Sequence, residues 1–235
     1  MRTYDIEYHV DNIDCRGYMV EPISQGVRLP GIVMYPDFWG INQRQKKVAE
    51  KLAQMGAVVL LADMYGNQQC GTSFEDSGRL MKAAVAQKEG LKKKILAPYE
   101  LLKRSSLIDN ARLFSIGYCF GGSSSLQLAR YGEGLQGAIS VHGLLASTLR
   151  VSSTKKMPKI LILHGLRDPL VTQEDITLFK EEMMACKADL TFISYGLCTH
   201  AFTNAEAAGN ETTAYNYKAD IRSNIYIKEF LNENF

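Results

Sequence analysis

The stretch Leu113-Phe114-Ser115-Ile116-Gly117-Tyr118-Cys119-Phe120-Gly121-Gly122 decides how this chain is read. An apolar run with the pattern of a buried strand enters a Gly-x-Cys-x-Gly core, and Leu126-Gln127-Leu128-Ala129 behind it has helical character. When a strand turns into a helix within two residues, the pivot side chain is thrown out at the top of the sheet. The flanking positions must then be small enough for neighbouring backbone to pass. Gly117 and Gly121 meet that demand, with Cys119 as the pivot. Its place at a helix N-terminus, where partial positive charge favours a thiolate, begins its activation. An isolated Cys is more often a small core hydrophobe; the glycine frame makes Cys119 a nucleophile instead.

A nucleophile needs an acid and a base downstream. Residues 159–163 form an apolar strand that runs into His164-Gly165-Leu166-Arg167-Asp168, which delivers Asp168 just past the strand's C-terminal end. Residues 190–195 read as another strand, and the loop Gly196-Leu197-Cys198-Thr199-His200-Ala201-Phe202 after it carries His200 with no apolar face to bury it. The order nucleophile, acid, histidine is that of the α/β-hydrolases and differs from the orders of other triad enzymes. His200 is then the base, Asp168 orients its imidazole, and Cys119 attacks an ester or lactone carbonyl to give a thioester that water clears. The backbone N–H of Phe120 is one oxyanion donor, and the loop after the strand at 31–35 supplies the second. Among other polar residues, His164 reads as a structural turn residue, His9 as uninvolved and Cys198 as a bystander. His142 ends the strand at 137–141, where it could line the pocket. Asp63 suits a turn and a pocket equally.

Four segments together resemble the dienelactone hydrolase family of α/β-hydrolases, whose members use Cys, Asp and His. They are the elbow at 117–122, His164-Gly165-Leu166-Arg167-Asp168, His200-Ala201-Phe202, and the early Pro36-Asp37-Phe38-Trp39-Gly40. The resemblance covers nearly the whole chain. It implies that Asp37 stands where the family has a Glu that modulates the nucleophile, one methylene shorter here, and that the Phe38 N–H is the second oxyanion donor. Trp39, Tyr118, His142 and Phe202 are the expected pocket residues. Family members that act on dienelactone hold its carboxylate with arginines, one of them four residues after the catalytic His. This chain has Asn204 there, while Arg79 matches the other arginine. A neutral residue cannot supply the bidentate, charge-assisted contact of an arginine, so a small ester or lactone other than dienelactone is expected.

Composition bounds the rest. The 235 residues, 46% of them hydrophobic, suit one α/β-hydrolase domain spanning 1–235. A net charge of +2, from 27 basic and 25 acidic residues, gives no field that selects nucleic acid or an anionic membrane. The run Lys92-Lys93-Lys94 reads as a solvated helix face. Five cysteines at unrelated spacings make no disulfide framework, and neither a metal-ligand spacing nor a cofactor motif is present. With no signal-peptide core at the N-terminus and no stretch of transmembrane length, the chain reads as a soluble cytoplasmic protein, a monomer or small homo-oligomer whose partner is its small-molecule substrate.

Alternating segments at about 3–10 and 14–21 precede the apolar strand at 31–35. Strand and helix patterns then alternate: helix 43–55, strand 57–62, a long helical stretch within 76–103, the elbow strand, strands at 137–141 and 159–163, helix 172–186, strand 190–195 and a last helix from about 213 to 232. Near-continuous apolar strands are what a parallel sheet covered on both faces requires, so the fold class is α/β, doubly wound and mostly parallel. Two other functions stay open on the sequence: a thiol redox or peroxide sensor, which would also want an exposed reactive Cys, and a non-catalytic binder that kept the pocket.

Overall fold

In the computed structural model, which describes residues 1–23, 26–147 and 151–235, eight strands form one sheet. They are β1 Arg2–Val10, β2 Ile13–Glu21, β3 Leu29–Tyr35, β4 Val58–Leu61, β5 Ile108–Tyr118, β6 Gly137–Val141, β7 Lys159–Gly165 and β8 Leu190–Tyr195. The strand order is β1-β2-β4-β3-β5-β6-β7-β8. The β1/β2 hairpin is antiparallel and joins β4 antiparallel, and every later pairing is parallel. The six helices among the described residues are α1 Gln43–Ala53, α2 Phe74–Ala86, α3 Lys88–Lys103, α4 Phe120–Tyr131, α5 Gln173–Ala185 and α6 Tyr217–Asn232.

Side chains alternate across the sheet as strand geometry dictates. Val33, Tyr35, Leu113, Ala138, Ile160 and Ile162 pack on one face with Ile95, Tyr99 and Leu102 of α3, Leu126 and Leu128 of α4, and Phe179 of α5. Ile32, Met34, Phe114, Ile116, Ile139, Leu161 and Leu163 pack on the other with Leu52 of α1 and Ile227 and Leu231 of α6. Burial on both faces explains why these strands read as unbroken apolar runs. The chain leaves β3 toward β4 on one side and returns to β5 on the other, and it is outside such a reversal that a doubly wound sheet opens a ligand crevice.

Three sequence expectations are corrected. The helical stretch 76–103 is two helices, because Gln87 takes φ −101° and ψ 81°, closing α2 and opening α3. The Leu80/Ala84 stripe and the Ile95/Tyr99/Leu102 stripe can then meet the core separately. The last helix begins at Tyr217 rather than near 213, with Asn216 capping it by accepting the Ala219 N–H at 3.1 Å. The residues before it serve the His200 loop: His200 N–H donates to Thr212 O (3.0 Å) and Ala214 N–H to His200 O (3.3 Å). Lys94 is not on a solvated face, being only 8% exposed.

Candidate active site

Cys119 connects β5 to α4 with φ 54° and ψ −117°, a backbone conformation that an L-residue rarely adopts. Glycine is required on both sides for space. A Cβ on Gly117 would stand 2.0 Å from Gly121 O, and one on Gly121 would stand 2.0 Å from Tyr35 O. The elbow thus lies against the end of β3, and the sulfur is left half-buried at the strands' carboxyl edge.

His200 and Asp168 converge on it. His200 Nε2 lies 2.9 Å from Cys119 Sγ, and His200 Nδ1 lies 2.7 Å from Asp168 Oδ2. The other Asp168 oxygen accepts the Leu170 N–H at 2.9 Å, fixing the carboxylate in its turn. Asp168 is 4% exposed and His200 3%. Burial by itself would lower the His200 pKa, but the hydrogen bonds and charges of Asp168 and Cys119 outweigh it and push the value up to about 10. Both partners thus favour the protonated form of the imidazole, whose ring nitrogens face the carboxylate and the sulfur.

Asp37 is buried and does not hydrogen-bond to the sulfur. Its Oδ1 accepts the Trp39 N–H at 3.1 Å, and Oδ2 pairs with the Arg44 guanidinium from the first turn of α1. Gly40 N–H also returns to Asp37 O at 3.0 Å, so the acid closes a tight turn around Phe38 and Trp39. The Phe38 carbonyl accepts the Tyr65 hydroxyl at 2.9 Å, and the Tyr65 ring lies parallel to Phe120 with centroids 6.3 Å apart. Burial, with Asp37 and Cys119 nearby, raises the Tyr65 pKa and keeps its hydroxyl a donor. Phe120 opens α4, so its N–H has no partner within the helix. Trp39 is partly buried, its ring centroid 5.1 Å from that of Phe38, and Phe74 meets Phe38 edge-on at 5.3 Å.

The structure assigns other residues to support. His142 is 3% exposed and faces the elbow: its Nδ1 accepts the Cys119 backbone N–H at 3.1 Å and Nε2 sits 2.9 Å from Thr203 Oγ1. Tyr118 and Phe202, expected in the pocket, are packed in the core at 7% and 0% exposure, because the strand alternation that exposes Cys119 turns Tyr118 inward. Asp63 is a turn hub that accepts N–H groups from Arg16, Tyr65, Gly66 and Gln68. His164 packs on Phe192 inside β7 with its pKa lowered by burial, and His9 pairs with Asp14 on the distant hairpin. Asn204 turns its side chain back to the Glu206 N–H at 3.0 Å, and Arg79 pairs with Asp76 on α2 at 2.7 Å. Sequence reasoning missed Arg44, Tyr65 and Thr203. Of these, Arg44 alone had a local signal, a cation seven residues after an acid and just inside a helix start. No group of three His, Cys, Asp or Glu able to hold a metal occurs among the described residues.

A doubly wound sheet with a glycine-framed strand-to-helix elbow at its switch point, and Asp168 and His200 following Cys119 in that order, has the pattern of an α/β-hydrolase. The chain belongs to the dienelactone hydrolase family, whose profile matches residues 15–235. It resembles the Bradyrhizobium protein named "Probable 2-oxo-3-(5-oxofuran-2-ylidene)propanoate lactonase", with 26% identity over 221 residues covering 84% of this chain and 87% of that one. Among solved structures, m3DLH shares 28% identity at a TM-score of 0.92, over 100% of this chain and 98% of that one. A dienelactone hydrolase-like promiscuous phosphotriesterase from metagenomic libraries shares 27% at a TM-score of 0.91, with the same coverage of both chains. The protein is accordingly a hydrolase of esters or lactones. Among the described residues no helix is long and apolar enough to cross a membrane.

Proposed function

We propose that this hydrolase cleaves small carboxylic esters or lactones through a Cys119–His200–Asp168 triad and a thioester acyl-enzyme. The observation that carries the reading is the continuous hydrogen-bonded line from Cys119 Sγ through His200 to Asp168. His200 Nε2 takes the thiol proton as Cys119 Sγ adds to the substrate carbonyl carbon, and the carbonyl electron pair moves onto oxygen. The N–H groups of Phe38 and Phe120 receive that oxyanion, and Asp37 and Arg44 set the Phe38 turn. Collapse expels the alkoxide, which takes the Nε2 proton; from a lactone it stays tethered to the acyl group. Neutral His200 then takes a proton from water, the hydroxide adds to the thioester, and collapse releases the carboxylic acid while the departing sulfur recovers its proton from His200.

A neutral ester or lactone suits the site better than dienelactone, because Asn204 is committed to its own turn and Arg79 to Asp76. The lactonase name of the Bradyrhizobium relative supports cyclic substrates. We take residues 1–235 as one such domain, since a single sheet gathers strands from both ends of the chain. The five free cysteines fit a reducing cytoplasm.

The test is a screen of p-nitrophenyl esters and small lactones against wild type and Cys119→Ala, with intact mass measured under rapid quench. An acyl adduct on wild type that hydroxylamine removes, and that Cys119→Ala lacks, is the expected result. Full hydrolysis by protein alkylated at Cys119 would overturn the mechanism.

A further inference from the structure

Lys94 projects from α3 into the fold, and its ammonium donates to the Tyr65 carbonyl at 3.3 Å. Its neighbour Lys93 meets the Asp11 carboxylate at 2.7 and 2.9 Å. Among the described residues no carboxylate lies within ion-pair distance of Lys94. A buried ammonium with one of three donors in use and no ion-pair partner of its own is a costly arrangement. It borders a cavity of about 300 Å³ between the β1/β2 turn, the segment after β4, and α2 and α3, and none of Cys119, Asp168 or His200 lines it. That volume is at the lower end for small-ligand sites. Val10, Ile13, Leu80 and Ala84 give one side an apolar surface; Gln69, Gln87 and Lys94 are polar, and Asp11, which also lines it, has its carboxylate held by Lys93. Arg79 also lines it, but with its guanidinium held by Asp76.

We propose that this cavity is a second binding site, for a small monocarboxylate with a short apolar body whose carboxylate pairs with the Lys94 ammonium. One uncommitted cation against an apolar wall matches a monoanion; a phosphate dianion would meet a single opposing charge. Carboxylates are what ester and lactone hydrolysis releases, so the reaction's own products belong to the class. The site is also joined to the catalytic end. Tyr65 receives Lys94 at its carbonyl, donates its hydroxyl to Phe38 O, and stacks on Phe120. A carboxylate that draws Lys94 toward itself therefore acts on the residue that contacts both Phe38 and Phe120. The binding stands on the cavity alone, whereas its effect on turnover rests on the oxyanion assignment above.

The test uses full-length Cys119→Ala, which cannot acylate, titrated with benzoate, with uncharged benzamide and with inorganic phosphate. Calorimetry reads binding, and Trp39, the single tryptophan of the chain and a ring neighbour of Phe38, reports the loop by fluorescence. Benzoate is expected to bind saturably and to outcompete both other probes. Lys94→Met, which keeps the buried length without the charge, should weaken it at least tenfold. Ala83→Leu, which fills the cavity from its exposed side and leaves Lys94 in place, should do the same. Circular dichroism melts certify that both variants fold. Absence of saturable benzoate binding, or binding that both folded variants leave unchanged, would overturn the proposal. Benzoate binding with no change in Trp39 emission, and none in ester turnover measured on the wild-type protein, would remove the coupling and leave the site.

Discussion

His142 holds Cys119 by its backbone. The Cys119 N–H is shared between Val141 O at 3.0 Å and His142 Nδ1 at 3.1 Å; as an acceptor that nitrogen carries no proton, and Nε2–H is left to donate to Thr203 Oγ1 at 2.9 Å. The His142 and His200 rings stand edge to face with centroids 5.3 Å apart. Burial, together with the nearby charges of His200 and Arg44, lowers the His142 pKa well below the ordinary imidazole value. Two histidines in contact are thus shifted in opposite directions, His200 upward by Asp168 and Cys119 and His142 downward by burial. His142 itself takes φ 40°, so the end of β6 is shaped for this contact.

On the mechanism proposed above, His142→Gln should lower kcat by about 10- to 100-fold with little change in KM, since it disturbs the placement of Cys119 rather than substrate binding. Thr203→Val, which removes the hydroxyl that fixes the tautomer, should lower kcat less and move the acid limb of the rate profile. Unchanged kcat and pH profile in both folded variants would reduce His142 to a packing residue.

Asp37 and Arg44 should behave as one unit. Asp37→Asn and Arg44→Met each open the same turn, so each should lower turnover, and the double variant should lose no more than the worse single one. Additive losses would mean that Asp37 acts on Cys119 independently of Arg44. Asp37→Glu, the family side chain, tests reach from the same position: a changed pH dependence of Cys119 alkylation would show that a longer arm meets the sulfur.

Although only Gly117 answers to backbone within the elbow and Gly121 answers to the end of β3, the Gly-x-Cys-x-Gly pattern is itself local, and so the elbow was legible. The same holds for the strands buried on both faces, whose apolar runs need no tertiary context. Asp168 and His200 were readable from position alone, one past β7 and one past β8. What the sequence hid was mostly contact between segments distant in the chain. Tyr65 reaches Phe38 and Thr203 fixes His142, each pair set by how helices and loops settle on the sheet, while Arg44 turns back onto Asp37 from only seven residues away. Lys94 misled for a related reason. A lysine triplet looks solvated in one dimension, yet a helix turns its third member by about 200° from the first, and here that side faces the core.

Gly121→Ala should fail through sterics rather than chemistry. The added Cβ would sit 2.0 Å from Tyr35 O and 2.6 Å from Pro36 O, both backbone atoms that cannot swing away. A loss of about 4 kcal/mol or more in denaturant unfolding, or no soluble protein, is expected. Gly196→Ala, where no atom lies within 4 Å of the new Cβ, is the matched control and should unfold near wild type.

His200 and His142 should together give stability a maximum in pH. The folded pKa of His200 is about 10 against 6.5 unfolded, so the native state binds its proton more tightly. That contribution is complete below pH 6.5 and is lost as pH rises through about 10. His142 has the opposite sign. Its folded pKa lies below 6.5, so its contribution is complete above that value and falls away on acidification, when the ring must take a proton among Cys119 N–H, Tyr118, Phe202, Arg44 and the charged His200. The two limbs meet near pH 6.5. Melting temperatures across pH 5 to about 10 should show the alkaline decline flattened in His200→Gln and the acid decline flattened in His142→Gln. Reading each variant as a difference from wild type cancels groups common to both, such as the Cys15 thiol, which burial pushes up to about 11. Parallel curves for His200→Gln and wild type above pH 6.5 would mean that His200 is not held as an imidazolium between Asp168 and Cys119.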